Sequence, residues 1–270
     1  MGGTALRDRL KTHKEDPRSA KREARRRPLL PLVAHRGYAL RYPENTRRAI
    51  RAALRAGARF VEVDVQLSSD GVPFLFHDRD LVRLCGVPGA IHERTCADLR
   101  RLRAAERKRF GRRFAREPIA TLSDLVRILR RHPRARAFVE IKRLALERFG
   151  IAPVLDGIRE VLRPVARRCI LISFSKKFVL AARESGWRQV GAVLERWSDL
   201  RDARVRAARP EYIFCNVERL PRGGLRTGRA RLVVYEVGEP GLARDLLKRG
   251  ASLIETFAIR EMAAAFSSPR

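Results

Sequence analysis

From Pro28 onward, short apolar, β-branched runs alternate with stretches whose apolar residues recur three and four positions apart. The first pattern predicts strands at Leu29–His35, Phe60–Leu67, Ala137–Lys142, Cys169–Phe174, Gln189–Glu195, Tyr212–Val217, Arg231–Val237 and Leu253–Thr256. The second predicts helices at Thr46–Ala56, Leu122–Arg131, Ala152–Ala166, Lys177–Glu184, Asp199–Ala208, Gly241–Arg249 and Ile259–Phe266. Eight strands in βα alternation point to a parallel, TIM-type (β/α)8 barrel. A doubly wound open sheet is the structural alternative, but no G-x-G-x-x-G follows the first strand. One further run, Val72–His77, follows the second strand after only Ser68-Ser69-Asp70-Gly71, too short for a crossover helix, so it reads as the return arm of a hairpin. Residues 79–120 then form an insertion, and Thr121 is the expected N-cap of the next helix.

Length and charge refine this picture. The chain has 270 residues, 45% of them hydrophobic, enough for one barrel of ordinary size over 29–270. Its formal net charge is +30, but only eight of the 60 basic residues are lysine, and they are spread along the chain. That skew needs no selection for binding. Two clusters stand out, Arg100–Arg116 and 1–28, the latter read as a basic flexible arm with ten Lys/Arg against four Asp/Glu; weak contact of these with an anionic membrane or nucleic acid is the minority expectation. No apolar run approaches membrane-spanning length, and the charged N-terminus carries no secretory pattern, so a cytoplasmic location is expected. Cys85, Cys96, Cys169 and Cys215 lack C-x-x-C spacing and read as reduced, part-buried thiols. Nothing indicates an obligate protein partner.

Barrel chemistry assembles at the C-terminal ends of the strands. There the first strand carries His35-Arg36-Gly37, the second Glu62 and Asp64 within Phe60–Val65, and the third Glu140-Ile141-Lys142. Alternation puts Glu62 and Asp64 on one face and Val61, Val63 and Val65 on the other. Pairing Leu67 with Val72 across a four-residue turn would set His77 opposite Glu62. Three converging carboxylates call for a compensating cation, and all-oxygen donors favour Mg²⁺ or Ca²⁺. Two imidazoles beside such an ion suit general acid–base chemistry, and Arg36 and Lys142 suit phosphate oxygens. Taken singly each motif has a bland reading: a solvent-face E-x-D, a turn histidine, a surface ion pair. Their weight comes from lying together on successive strand ends.

The run Ala34-His35-Arg36-Gly37, Pro43-Glu44-Asn45-Thr46, Glu62-Val63-Asp64-Val65, Asp70-Gly71, His77-Asp78 resembles the glycerophosphodiester phosphodiesterase family, with further matches at Ile119–Leu122, Glu140-Ile141-Lys142 and Ser173-Phe174. The resemblance implies a TIM-type barrel related to the phosphatidylinositol-specific phospholipases C. It also implies metal-dependent hydrolysis of a small-molecule glycerophosphodiester to an alcohol and sn-glycerol 3-phosphate. Carried onto this chain, Glu62, Asp64 and Glu140 hold the metal, His35 and His77 are the acid/base pair, and Arg36, Glu44 and Lys142 line the phosphate and metal site. The C-terminal part departs from the family pattern: Tyr235-Glu236-Val237-Gly238 stands where many members have Trp-Thr-Val-Asn, and Glu255-Thr256-Phe257 where many have Thr-Asp-x-Pro. Tyr235 is the candidate substrate contact there. Two alternatives stay open. One is a lysophospholipase D using Leu81, Leu84, Val87 and Ile91 as an apolar ramp, against ordinary packing of those four. The other is a non-catalytic, polyanion-binding barrel.

Overall fold

The structure, a computed structural model, describes residues 30–267. The arm expected over 1–28 and the predicted start of the first strand at Leu29 lie outside those residues. Nine strands are present among the described residues: β1 (Leu32–Ala34), β2 (Phe60–Leu67), β3 (Pro73–Leu75), β4 (Arg136–Ile141), β5 (Cys169–Ser173), β6 (Val190–Leu194), β7 (Tyr212–Asn216), β8 (Arg231–Tyr235) and β9 (Leu253–Thr256). All but β3 pair in parallel, and β1 pairs with both β2 and β9, which closes an eight-stranded barrel. Helices follow the strands around the outside, as in a TIM-type (β/α)8 barrel. The expected elements are found within a few residues, except that Arg143–Phe149 adds a helix after β4 that the apolar spacing did not announce.

Strand alternation divides the apolar residues into two layers. Val61, Val63 and Val65 face outward into the core shared with the helices, with Leu122, Leu125, Ile158 and Phe178. Val33, Phe60, Phe138, Ile170, Ile172, Val193, Phe214, Val233 and Leu253 face inward and plug the barrel. Phe138 lies at the middle of this plug, against Phe60, Tyr212 and Phe214 with ring centroids 5.4, 4.8 and 4.9 Å away.

The hairpin register differs by one from the expected pairing. Leu67 pairs with Pro73 and Val65 with Leu75. Ser68 closes the ladder instead of joining the turn: its N–H donates to the Val72 carbonyl at 3.0 Å, and its Oγ accepts from the Val72 N–H at 2.9 Å. Only Ser69, Asp70 and Gly71 remain in the loop, and Gly71, at φ +78°, supplies the left-handed residue that a three-residue turn requires. His77 is therefore not opposite Glu62, and the ladder ends before reaching it.

The insertion holds short helices at Val82–Cys85, Cys96–Arg101 and Arg107–Phe110. Leu81, Leu84 and Ile91 are buried with Phe74 and Phe76, and Val87 packs against them. Leu81, Leu84 and Ile91 are core and Val87 is partly buried against them, which favours the packing reading.

Thr121 caps the helix Leu122–Arg131 as expected: Thr121 Oγ1 accepts from the Asp124 N–H, and Asp124 Oδ2 accepts from the Thr121 N–H. Replacing Thr121 by Ala should destabilise the chain by about 1 kcal/mol. Urea unfolding would show this as a lower midpoint at unchanged m-value.

Candidate active site

The polar residues at the mouth occupy the positions that follow the apolar plug by two on each strand. Val33 is followed by His35, Phe60 by Glu62 and Asp64, and Phe138 by Glu140 and Lys142. In the same way Val233 leads to Tyr235 and Leu253 to Glu255, while Ile172 leads to the apolar Phe174. One inward face thus changes from apolar floor to charged mouth within a single residue pair. Glu62, Asp64 and Glu140 meet there, with one oxygen of each within 4.8 Å of the others, and Asp64 and Glu140 are direct partners across β2 and β4. All three are buried.

Cations and amides partly compensate these carboxylates. Lys142 Nζ lies 3.1 Å from Asp64 Oδ1 and 2.8 Å from Glu140 Oε1, and Arg36 Nε lies 3.1 Å from Asp64 Oδ2. Asn45 Nδ2 donates to Asp64 at 2.8 Å, and the Asp64 N–H donates back to Asn45 Oδ1. Burial opposes charge on Asp64, but Lys142 and Arg36 outweigh it and hold the carboxyl well below its ordinary range. Glu62 has less help, from Arg36 alone. Burial first, then Asp64, Glu255 and Glu140, push its carboxyl well above the ordinary value, and its Oε1 has no hydrogen-bond partner among the described residues. Burial also raises Glu140. A buried, orphaned oxygen within an all-oxygen triad fits a hard divalent cation.

The loop Arg36–Thr46 is held against this triad. Arg36 and Asn45 both take positive φ, and the Arg36 N–H donates to Glu62 Oε2 at 3.1 Å. Gly37, at φ +79°, passes so close to the next helix that a Cβ would sit 2.7 Å from the Ala49 carbonyl carbon. Glu44 does not join the triad. Its carboxylate pairs with Arg36 Nη1 at 3.1 Å and with Arg83 Nη2 at 2.7 Å.

The two histidines sit in different environments. His35 is buried, stacked on Phe257 with ring centroids 4.4 Å apart, and its Nε2 is 3.8 Å from Glu62 Oε2. Desolvation first, then Arg36, lowers its pKa well below the usual imidazole value. His77 is about a third exposed and turns Nδ1 to Asp78 Oδ1 at 2.9 Å. It reaches the mouth through Gln66, whose amide donates to the carbonyls of Phe76, His77 and Asp78 at 3.3, 3.2 and 2.5 Å. Asp78 pairs with Arg83 Nε at 2.6 Å, and Arg83 also pairs with Glu106, which ties the insertion to the site.

Gln66 and Arg83 belong to the surroundings of the site without having been named in the sequence, and Asn45 and Glu255 were named there only within motifs, with no site role. Gln66 and Glu255 carried a signal: each continues an inward alternation, Glu62-Asp64-Gln66 and Leu253-Glu255. Arg83 carried none. A cavity of about 310 Å³ is lined by Gln66, His77, Glu140, Lys142 and Phe174 among others, and Phe174 with Tyr235 lines a neighbouring one of about 660 Å³. A larger cavity, about 900 Å³, is lined by Leu54, Arg59, His132 and Phe266 and contains none of the candidate residues. Size does not locate the chemistry here.

Residues 35–185 match the model of the glycerophosphoryl diester phosphodiesterase family, more than half of the chain. This chain belongs to that family. Glycerophosphodiester phosphodiesterase 1 of Bos taurus is 30% identical over 176 residues, 64% of this chain and 51% of that protein. The Mus musculus protein of the same name is 39% identical over 106 residues, 39% of this chain and 32% of that protein. The family member described here therefore spans only about a third to a half of the length of these relatives. Among solved structures, an Oleispira antarctica phosphodiesterase in complex with the product sn-glycerol-3-phosphate superposes with TM-score 0.76 at 21% identity, covering 88% of this chain and 96% of that one. A glycerophosphodiester phosphodiesterase from Agrobacterium tumefaciens gives 0.69 at 23% identity, covering 87% and 99%. At such identities these two likenesses are of fold.

Proposed function

We propose that this family member hydrolyses glycerophosphodiesters to an alcohol and sn-glycerol 3-phosphate with the help of a divalent cation. The observation that carries the reading is the buried Glu62–Asp64–Glu140 triad beside two imidazoles at the mouth of a barrel of this family. These three carboxylates would hold Mg²⁺ or Ca²⁺. When bound, the ion supplies charge stabilisation to the phosphate oxygens and lowers the barrier to attack at phosphorus.

The other steps fall to the chain's own groups. Arg36 and Lys142, already paired with the triad, orient the phosphate as neighbouring positive charges. Glu44 acts one step away, holding the Arg36 guanidinium in place together with Arg83. His35 and His77 divide the proton transfers, one taking the proton of the attacking oxygen and the other giving one to the leaving alcohol. The carboxylate of Asp78 fixes the ring of His77 for this task, and the flat face of Phe257 fixes that of His35. Tyr235, beside the second cavity, contacts the leaving alcohol. We assign the barrel to 29–270, with 79–120 as an insertion that braces the mouth through Arg83, and 1–28 as a separate arm.

The test is release of sn-glycerol 3-phosphate from glycerophosphocholine and glycerophosphoethanolamine by the full chain supplied with Mg²⁺ or Ca²⁺. Release that requires the ion is the expected result. A folded, ion-loaded chain that cleaves no diester would overturn the reading.

A further inference from the structure

A second set of donors meets at the barrel mouth beside the acidic triad. His35, Glu62 and Glu255 each place one ligand atom within 4.8 Å of the others. They belong to three adjacent staves, because β1 lies between β2 and β9. Glu62 is common to both sets. Both carboxylates are 2% exposed, and Oε1 of each has no hydrogen bond among the described residues. Burying such oxygens unpaired is costly unless a ligand completes them.

His35 is set up as a donor. Its Nε2 points to the cluster, 3.8 Å from Glu62 Oε2, while Nδ1 on the opposite edge lies 3.9 Å from Glu236 Oε1. Stacking on Phe257 at an interplanar angle of 9° fixes the ring plane. Nδ1 has no hydrogen-bond partner among the described residues, so the Phe257 stack, not an outer carboxylate, holds the ring with Nε2 toward the cluster.

We propose that His35, Glu62 and Glu255 form a second divalent-cation site, sharing Glu62 with the triad, and that an ion bound there inhibits the enzyme by occupying Nε2 of His35. The nitrogen donor moves the preference of this site away from Mg²⁺ and Ca²⁺ and toward a borderline ion such as Zn²⁺. The two sites thus differ in chemistry although they share a ligand. Inhibition rests on the acid–base role of His35 proposed above; the count of bound ions does not.

The experiment is calorimetric titration of Zn²⁺ into the full chain held in saturating Mg²⁺. One Zn²⁺ per chain is expected, with affinity at least about tenfold weaker in Glu255→Gln. The ¹⁵N signal of His35 Nε2, assigned by its loss in His35→Ala, should shift on adding Zn²⁺. Release of sn-glycerol 3-phosphate should fall over the same range, and Glu255→Gln should need about tenfold more Zn²⁺ for the same loss. No Zn²⁺ bound beside Mg²⁺ would overturn the proposal. So would binding indifferent to Glu255→Gln, the result if Zn²⁺ merely replaced Mg²⁺ in the triad. Should Glu255→Gln not fold, an unshifted His35 signal in the native chain overturns it equally. A chain that binds Zn²⁺ through His35 but cleaves no diester refutes the hydrolase reading and leaves the second site standing.

Discussion

Alanine in place of His35 or His77 is expected to lower kcat for glycerophosphodiester hydrolysis by roughly 10²–10⁴-fold, the range for removal of a positioned acid or base. The two losses should not multiply in the double variant, because the histidines serve one proton-transfer sequence. Neither substitution removes a member of the Glu62–Asp64–Glu140 triad, so Mg²⁺ or Ca²⁺ affinity should change far less than kcat. The environments predict a further difference. His35 is packed against Phe257 and beside Glu62, so its loss also opens a gap in the buried mouth. His77 is a third exposed and held through Asp78 and Gln66, so its loss should leave stability nearly unchanged. Steady-state kinetics, direct ion titration and urea unfolding on the three variants separate these effects. Either single variant keeping more than a tenth of kcat would remove that histidine from the acid–base pair. EDTA should abolish release in the native chain, and added Mg²⁺ or Ca²⁺ should restore it.

Phe138→Ala is expected to cost about 3–5 kcal/mol, the range for truncating a fully buried aromatic. Phe138 is fully buried, and the rings of Phe60, Tyr212 and Phe214 converge on it inside the barrel. No helix or loop can move in to fill the gap, since the closed sheet surrounds it. Against the 5–15 kcal/mol that stabilises a typical protein, this is a large fraction. The same plug is the floor beneath Glu62 and Glu140, so the variant should also lose activity at temperatures where it remains folded. Urea unfolding gives the first quantity and rate measurements well below Tm the second. A cost under 1 kcal/mol would mean that the barrel centre collapses around the missing ring.

Much of this was legible in the chain itself, for a local reason. Period-two alternation from Phe60 to Leu67 fixes which side chains face inward, and it sets Glu62 and Asp64 on one face without any tertiary contact. The same reasoning applies to Phe138 and Glu140. Thr121 followed three residues later by Asp124 marks a helix start whose hydrogen bonds are entirely local. The motifs around His35, Glu62 and His77 carried the family, and the match over 35–185 agrees with them.

Other features depended on the closed barrel. The hairpin register turned on whether Ser68 pairs or turns, a choice between near-equal local options that the left-handed Gly71 and the Ser68–Val72 hydrogen bonds settle together. Glu44 came from the sequence as a group lining the phosphate and metal site. Its carboxylate pairs with Arg36 and Arg83, and Arg83 is 39 residues away in a segment with no motif of its own. Glu255 is the clearest case. It lies 193 residues from Glu62 in sequence, and only closure of β1 between β2 and β9 brings the two carboxylates together. Alternation along one strand is a property of the backbone and can be read from a string of residues; proximity between the first and last staves is a property of ring closure and cannot.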